Sequence, residues 1–320
     1  MAVYTDVADD ELRDFVAQYD IGNVVSCKGI PEGIENSNYM LHTSRGDFIL
    51  TLYEKRVRSQ DLPYFLGLMD HLSASGIACP TPIYGHDGTA LRRLSGRPAA
   101  IVTYLKGMCP RRIHPRHCSD VGRALAHMHI AGRSFPMTRT NDLSIAGWRH
   151  LFEDVASRAH EVQSGLKEEL EKELTWLERE WPNTLPAGVI HADLFPDNVF
   201  FLDQTFSGLI DFYFSCNDFF AYDIAICLNA WCFEADVSFN ITKAQSMLRA
   251  YRKARPFSEQ ELLALPILAR GSSMRFLLTR LYDLFNHPQG ALVKPKDPLE
   301  YLTRLRFHRQ VTKPSAYGLD

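Results

Sequence analysis

The feature that most restricts the fold of this 320-residue chain is a change of rhythm at Tyr104-Leu-Lys-Gly107. Before it, short β-favouring runs at residues 24–29, 38–43, 48–53, 89–94 and 99–104 are broken by turn formers such as Pro31-Glu-Gly33 and Ser44-Arg-Gly46-Asp. After it, apolar residues recur at helical spacing, as in Leu166, Leu170, Leu174, Leu177 and Trp181. The switch predicts an α+β chain of two lobes. Residues 1–104 are expected to form a five-stranded antiparallel sheet with helices at 9–19 and 63–72. Residues 105–320 are expected to be mainly helical, with helices at 119–129, 148–160, 166–181, 225–233, 241–254 and 259–285.

Composition narrows the function classes. Lys and Arg number 35 against 38 Asp and Glu, a net charge of −3, and no long basic run marks a nucleic-acid surface. The seven cysteines are scattered without a C-x-x-C pair, which predicts neither a disulfide framework nor a zinc ribbon. With an acidic start and no 18-residue apolar run, a cytoplasmic protein without a membrane partner is expected, acting on a small molecule. Homo-oligomerisation stays open.

One stretch carries chemistry. His191-Ala-Asp193-Leu-Phe-Pro-Asp-Asn198 is followed by Gly208-Leu-Ile-Asp211-Phe212, which places two carboxylates and a carboxamide at loop-and-strand spacings. Such oxygens can hold Mg²⁺ and orient a hydroxyl nucleophile, as phosphoryl transfer requires. Asp193 is the candidate for the acceptor proton, and Asn198 and Asp211 for the metal. An apolar run at 187–190 entering the loop, a strand at 199–202 leaving it and a strand at 208–212 ending in Asp211 would bring the three to one edge. In the first lobe, the small polar residues Asn36, Ser37 and Asn38 form a candidate phosphate-covering loop, through backbone N–H groups.

In this order the motifs resemble the protein-kinase-like fold of choline kinases and aminoglycoside phosphotransferases. More narrowly, Asp193-Leu-Phe-Pro-Asp-Asn-Val-Phe-Phe201, the run from Gly208 to Asp218, the run from Ala221 to Trp231 and Leu277-Leu-Thr-Arg-Leu-Tyr282 resemble homoserine kinases built on that fold. The resemblance implies transfer of phosphate from ATP, with Mg²⁺, to L-homoserine, giving O-phospho-L-homoserine on the route to threonine. It implies Asp193 as catalytic base, Asn198 and Asp211 as metal ligands, and Asp223 as a buried carboxylate that supports the catalytic loop, with His191 beside it. Thr51 stands where many relatives carry a strand Lys or Arg that reaches the phosphates; Lys55 or Lys28 is the expected substitute, and Tyr104 is assigned to the nucleotide.

A homoserine zwitterion needs a carboxylate for its ammonium and a cation for its carboxylate. Tyr213, Asn217 and Asp218 follow the metal Asp closely, and Arg275 and Arg280 are the cations expected on a C-terminal helix. Competing readings are a kinase for another amino alcohol or an aminoglycoside, a binding-only pseudokinase suggested by Thr51, and a metal-dependent phosphatase suggested by the His191-x-Asp193 pair. His127 and His129, two apart on a helix, point to opposite faces and cannot share a metal. His114, His117 and Cys118 lie in an arginine-rich loop, which disfavours zinc.

Overall fold

Alternation along Ser37–Thr43 puts Ser37, Tyr39, Leu41 and Thr43 on one buried face, and that face organises the first part of the chain. The computed structural model describes residues 5–31, 36–54, 57–287 and 295–319. In chain order, helix α1 (Asp9–Val16) precedes strands β1 (Val24–Gly29), β2 (Ser37–Thr43) and β3 (Gly46–Leu52). Helix α2 (Leu62–Ala74) and strands β4 (Arg92–Leu94) and β5 (Arg97–Thr103) follow. Next come helices α3 (Pro115–Ala131), α4 (Ile145–Val155), α5 (Ala159–Val162) and α6 (Leu166–Glu180), then strands β6 (Ala187–Ile190), β7 (Val199–Leu202), β8 (Thr205–Leu209) and β9 (Cys216–Phe219). The chain closes with helices α7 (Phe220–Trp231), α8 (Ile241–Ala254), α9 (Glu259–Phe285) and α10 (Leu299–Gln310).

Among the described residues the chain divides into two compact units. The first holds the described residues up to Gly107 together with 200–213, and the second holds Met108–Val199, 214–287 and 295–319. A single cut after Tyr104, as the change of rhythm suggests, makes no provision for the return of 200–213.

The five strands of the first unit form one antiparallel sheet in the order β1-β2-β3-β5-β4. Leu12, Phe15 and Val16 of α1 pack with Leu41, Leu50, Leu52 and Ile101 in its core, and Asp9, Asp10 and Glu11 suit the positive end of that helix. Between β4 and β5 the chain turns on Ser95 and Gly96, both at positive φ (48° and 75°), as a two-residue hairpin loop requires.

In the second unit, the predicted stripe of α6 is buried at Leu166, Leu170, Leu174 and Leu177. Helices α3 and α8 approach until a Cβ at Gly122 would lie 2.3 Å from the Met247 carbonyl oxygen, so only glycine fits. Helix α9 starts in a capping box, Ser258 Oγ accepting the Glu261 N–H at 3.2 Å and Glu261 Oε2 accepting the Ser258 N–H at 2.9 Å. By length and composition alone α9 could cross a membrane, but 67% of its most apolar window is buried inside the protein, as for a core helix.

The expected hairpin that leaves the catalytic loop is present as β7 and β8, with its second strand starting and ending earlier than the sequence suggests. Strand β6 pairs with β9, which the sequence had not suggested, while β7 pairs with β8 in a separate two-stranded sheet. Asp211 does not end a strand: β8 stops at Leu209, and Asp211 follows at φ 64°, leading into a short 3-10 turn at Phe212–Phe214.

Candidate active site

The loop after β6 is held by its backbone, group by group. One Asp223 oxygen accepts the His191 N–H at 2.7 Å and the other accepts the Ala192 N–H at 2.9 Å. The Asp193 N–H reaches His191 Nδ1 at 3.3 Å, and the Asp193 carbonyl accepts from the Phe195 N–H at 2.8 Å and from Asn198 Nδ2 at 2.8 Å. The Leu194 carbonyl takes the Trp231 indole N–H at 2.8 Å, and the Ala192 carbonyl takes Arg275 Nη1. Ala192 sits at φ 64°, a left-handed conformation that a residue with a Cβ adopts only when its surroundings enforce it. The consequence is a half-buried Asp193 carboxylate on a loop with little freedom.

Behind the loop runs a buried relay. His129 Nε2 meets Asp223 Oδ2 at 3.1 Å, His129 Nδ1 meets the Tyr251 hydroxyl at 2.7 Å, and Arg255 Nη1 donates to that hydroxyl at 3.2 Å. Arg255 in turn pairs with Glu261 at 2.9 Å. Burial pushes the Asp223 carboxyl up, but the hydrogen bonds it accepts from His129 and from the His191 N–H more than offset this and hold it below the usual carboxylate range. Burial also lowers the His129 pKa, against the opposing pull of Asp223. A neutral His129 then donates from Nε2 to Asp223 and accepts at Nδ1 from Tyr251, and the loop rests on an ionised carboxylate. His129 shares a face of α3 with Val121 and Leu125 at i, i+4, i+8 spacing, which could have marked it as buried; Tyr251 and Trp231 carried no signal beyond apolar periodicity.

Among the metal candidates, Asn198 spends its amide nitrogen on Asp193, through the carbonyl at 2.8 Å and Oδ2 at 3.3 Å. That leaves its carbonyl oxygen as the group that could ligate a cation. Asp211 offers an exposed carboxylate in the first unit. Both are hard oxygen donors of the kind Mg²⁺ takes when one or two protein ligands and phosphates share it. Among the described residues no three His, Cys, Asp or Glu side chains converge on a further metal position. His191 is fully buried, with its Nδ1 engaged by the Asp193 N–H.

The nucleotide candidates divide. Asn36 and Ser37 turn their side chains onto Glu54: Asn36 Oδ1 accepts the Glu54 N–H at 3.3 Å, and Ser37 Oγ donates to the carboxylate at 2.8 Å. Asn38 accepts from Thr51 Oγ1 at 2.8 Å across the β2–β3 register. Thr51 thus carries a structural hydrogen bond in a site only 2% exposed. Tyr104 is half-buried just beyond β5, Lys28 is exposed on β1, and Lys55 lies outside the described residues.

Of the acceptor candidates, Tyr213 packs among aromatic rings. Its hydroxyl lies 3.1 Å from that of Tyr53, and its ring meets Tyr53 and Phe65 edge-on, so it ties the segment after Asp211 to the residue that follows β3 and to α2. Arg280 is committed to Glu300 at 2.8 Å and to the Asp297 carbonyl at 2.6 Å, a pairing that competes with any substrate role. Asn217 accepts the Arg139 N–H at 2.9 Å and gives its own N–H to the Arg139 carbonyl at 2.7 Å. Asp218 accepts from Asn141 Nδ2 and from the Phe219 N–H, each at 2.7 Å. Burial raises its pKa above the usual carboxylate range, and among the described residues it forms no ion pair. Arg275 is 1% exposed and faces the loop backbone.

These features define a class. The family model described as "Phosphotransferase enzyme family" matches residues 26–257. Solved structures share the fold: a microcompartment-associated aminopropanol kinase at TM-score 0.72 and 17% identity, covering 98% of this chain and 99% of that one. An amicoumacin kinase solved with AMP-PNP and Ca²⁺ superposes at TM-score 0.71 and 13% identity, over 95% and 94% of the two chains. At these identities the fold alone is shared. Much nearer in sequence are homoserine kinases of Paramagnetospirillum magneticum and Parvibaculum lavamentivorans, each 63% identical over the whole of both chains. The chain belongs to the homoserine kinase family built on this protein-kinase-like fold.

Proposed function

We propose that the protein transfers the γ-phosphoryl group of ATP to the side-chain hydroxyl of L-homoserine, releasing ADP and O-phospho-L-homoserine. The observation that carries this is the end-to-end 63% identity to homoserine kinases, joined to a catalytic loop whose backbone is held at nearly every polar group. Asp193 acts on the acceptor. Its carboxylate, steadied by the Asn198 amide, orients the hydroxyl and takes its proton as the oxygen attacks, a contribution of typically 10²–10⁴-fold. Asn198 and Asp211 would hold Mg²⁺, which when bound offsets charge on the phosphates.

Asp218 is the proposed partner of the homoserine ammonium, because an incoming cation would stabilise the charged form of a half-buried carboxylate that has no ion-pair partner in contact with it. On the nucleotide, Asn38 and Tyr104 remain proposed contacts, while Asn36 and Ser37 are limited to their backbone groups. The seven free cysteines suit a reducing compartment, which supports a cytoplasmic enzyme.

The test is ADP release by the purified protein with Mg²⁺ and ATP against L-homoserine, L-serine, L-threonine, choline and kanamycin. Selective turnover of L-homoserine is expected. Preference for kanamycin or choline would move the chain to the other acceptor classes of the same fold, and no acceptor-dependent ADP with any of them would remove the proposed activity.

A further inference from the structure

We propose that Arg275 is a positioning residue for phosphoryl transfer, pinning the Ala192 carbonyl so that Asp193 is presented to the acceptor, and that it is not the ligand of the substrate carboxylate. The proposal rests on the kinase reading above and assigns one residue of its site a different task. Three backbone groups immediately before Asp193 are restrained by side chains. Asp223 takes the N–H of His191 and of Ala192, and Arg275, reaching in from α9, takes the Ala192 carbonyl. The N–H and C=O of the left-handed Ala192 are therefore clamped by groups of opposite charge.

The surroundings of Arg275 point the same way. It is 1% exposed, and its guanidinium lies over the Phe276 ring, 4.4 Å from the centroid, with the Phe214 ring at 5.8 Å. Among the described residues no carboxylate comes within ion-pair distance of it, the Asp218 charge acting on it only from further off, and its Nε has no hydrogen-bond partner. Burying a cation on so few partners is unfavourable for stability. Its hydrogen bond therefore goes where it shapes function, to the residue next to the base. A substrate ligand, by contrast, has to be reachable, and this guanidinium is covered by aromatic rings and the loop itself.

The test compares wild type, Arg275→Met and Arg275→Lys as full-length proteins. Kinetics are measured with L-homoserine, with 3-aminopropan-1-ol, which lacks the carboxylate, and for acceptor-independent ATP hydrolysis, with circular dichroism and melting as folding controls. A misplaced base costs on the order of 10–100-fold in kcat. Arg275→Met is expected to lose this much in all three reactions, with acceptor KM values within about threefold of wild type. Arg275→Lys, which keeps a donor, is expected to recover part of the loss, and it carries the comparison should the Met variant fail to fold.

A rise in KM for L-homoserine with the two carboxylate-free reactions untouched would overturn the proposal and make Arg275 the carboxylate ligand. Unchanged kcat in both variants would overturn it as well. The wild-type arm keeps the two claims apart: no turnover of L-homoserine by wild type fails the acceptor reading, and Arg275 is then judged on ATP hydrolysis, where no carboxylate is bound.

Discussion

Trp231, the last residue of α7, donates its indole N–H to the carbonyl of Leu194 at 2.8 Å, and both residues are fully buried. The residue directly after the proposed base is thus tied to the helix that carries Asp223 in its first turn. Trp231→Phe keeps most of the packing but leaves a buried carbonyl without its donor, a loss of about 1–3 kcal/mol. Urea unfolding should show a loss in that range together with a fall in kcat; an unchanged midpoint and unchanged kcat would mean that the bond neither stabilises the fold nor steadies the loop.

Asp193→Asn preserves shape and removes the proton acceptor. Turnover of L-homoserine should fall by about 10²–10⁴-fold while the affinity for ATP, measured by calorimetry, stays within about threefold. Wild-type turnover by this variant would take Asp193 out of the base role.

Asp211→Asn replaces a charged oxygen donor by a neutral one. The expected outcome is a higher Mg²⁺ concentration for half-maximal activity and weaker Mg²⁺-ATP binding. A titration superimposable on wild type would show that the cation is held elsewhere.

Thr51 occupies the strand position at which the resemblance leads one to expect a basic residue, yet it is 2% exposed and gives its hydroxyl to Asn38. Thr51→Val should cost about 1 kcal/mol of stability with KM for ATP nearly unchanged. Thr51→Lys should destabilise more, by burying an ammonium, without a gain in ATP affinity. Tighter ATP binding by the Lys variant would show that the position faces phosphate after all.

His308 supplies a pH dependence. Buried between the Tyr317 hydroxyl at 2.7 Å and Asn229 Oδ1 at 3.1 Å, it has its pKa lowered to about 3, first by burial and then by Arg304. Unfolded, it titrates near 6.5. The unfolded chain therefore binds a proton that the folded chain refuses. The contribution to stability is complete above about pH 6.5 and is lost as pH falls towards about 3, at about 1.4 kcal/mol per pH unit. Unfolding free energies between pH 7 and 5 should fall more steeply for wild type than for His308→Gln; parallel slopes would place the acid sensitivity in other groups.

Sequence periodicity by itself determined where the strands of the first sheet and the long helices α8 and α9 run, because alternation and 3.6-residue spacing record which side of an element is buried. The loop motif with its ordered Asp193, Asn198 and Asp211 was legible for a related reason: short spacings within a turn leave few arrangements. Strand β9 was not legible, since Cys216-Asn-Asp-Phe219 is too short and polar to announce a strand until β6 lies beside it. Nor were the partners of Tyr213, Arg275 and Arg280. Spacing says that a side chain points inward or outward, but whether an arginine meets Glu300, a loop carbonyl or a substrate depends on residues up to 83 positions away in the chain. Only the tertiary structure decides that, because the free energy of burying a polar group is set by the atom it meets and not by its neighbours in sequence.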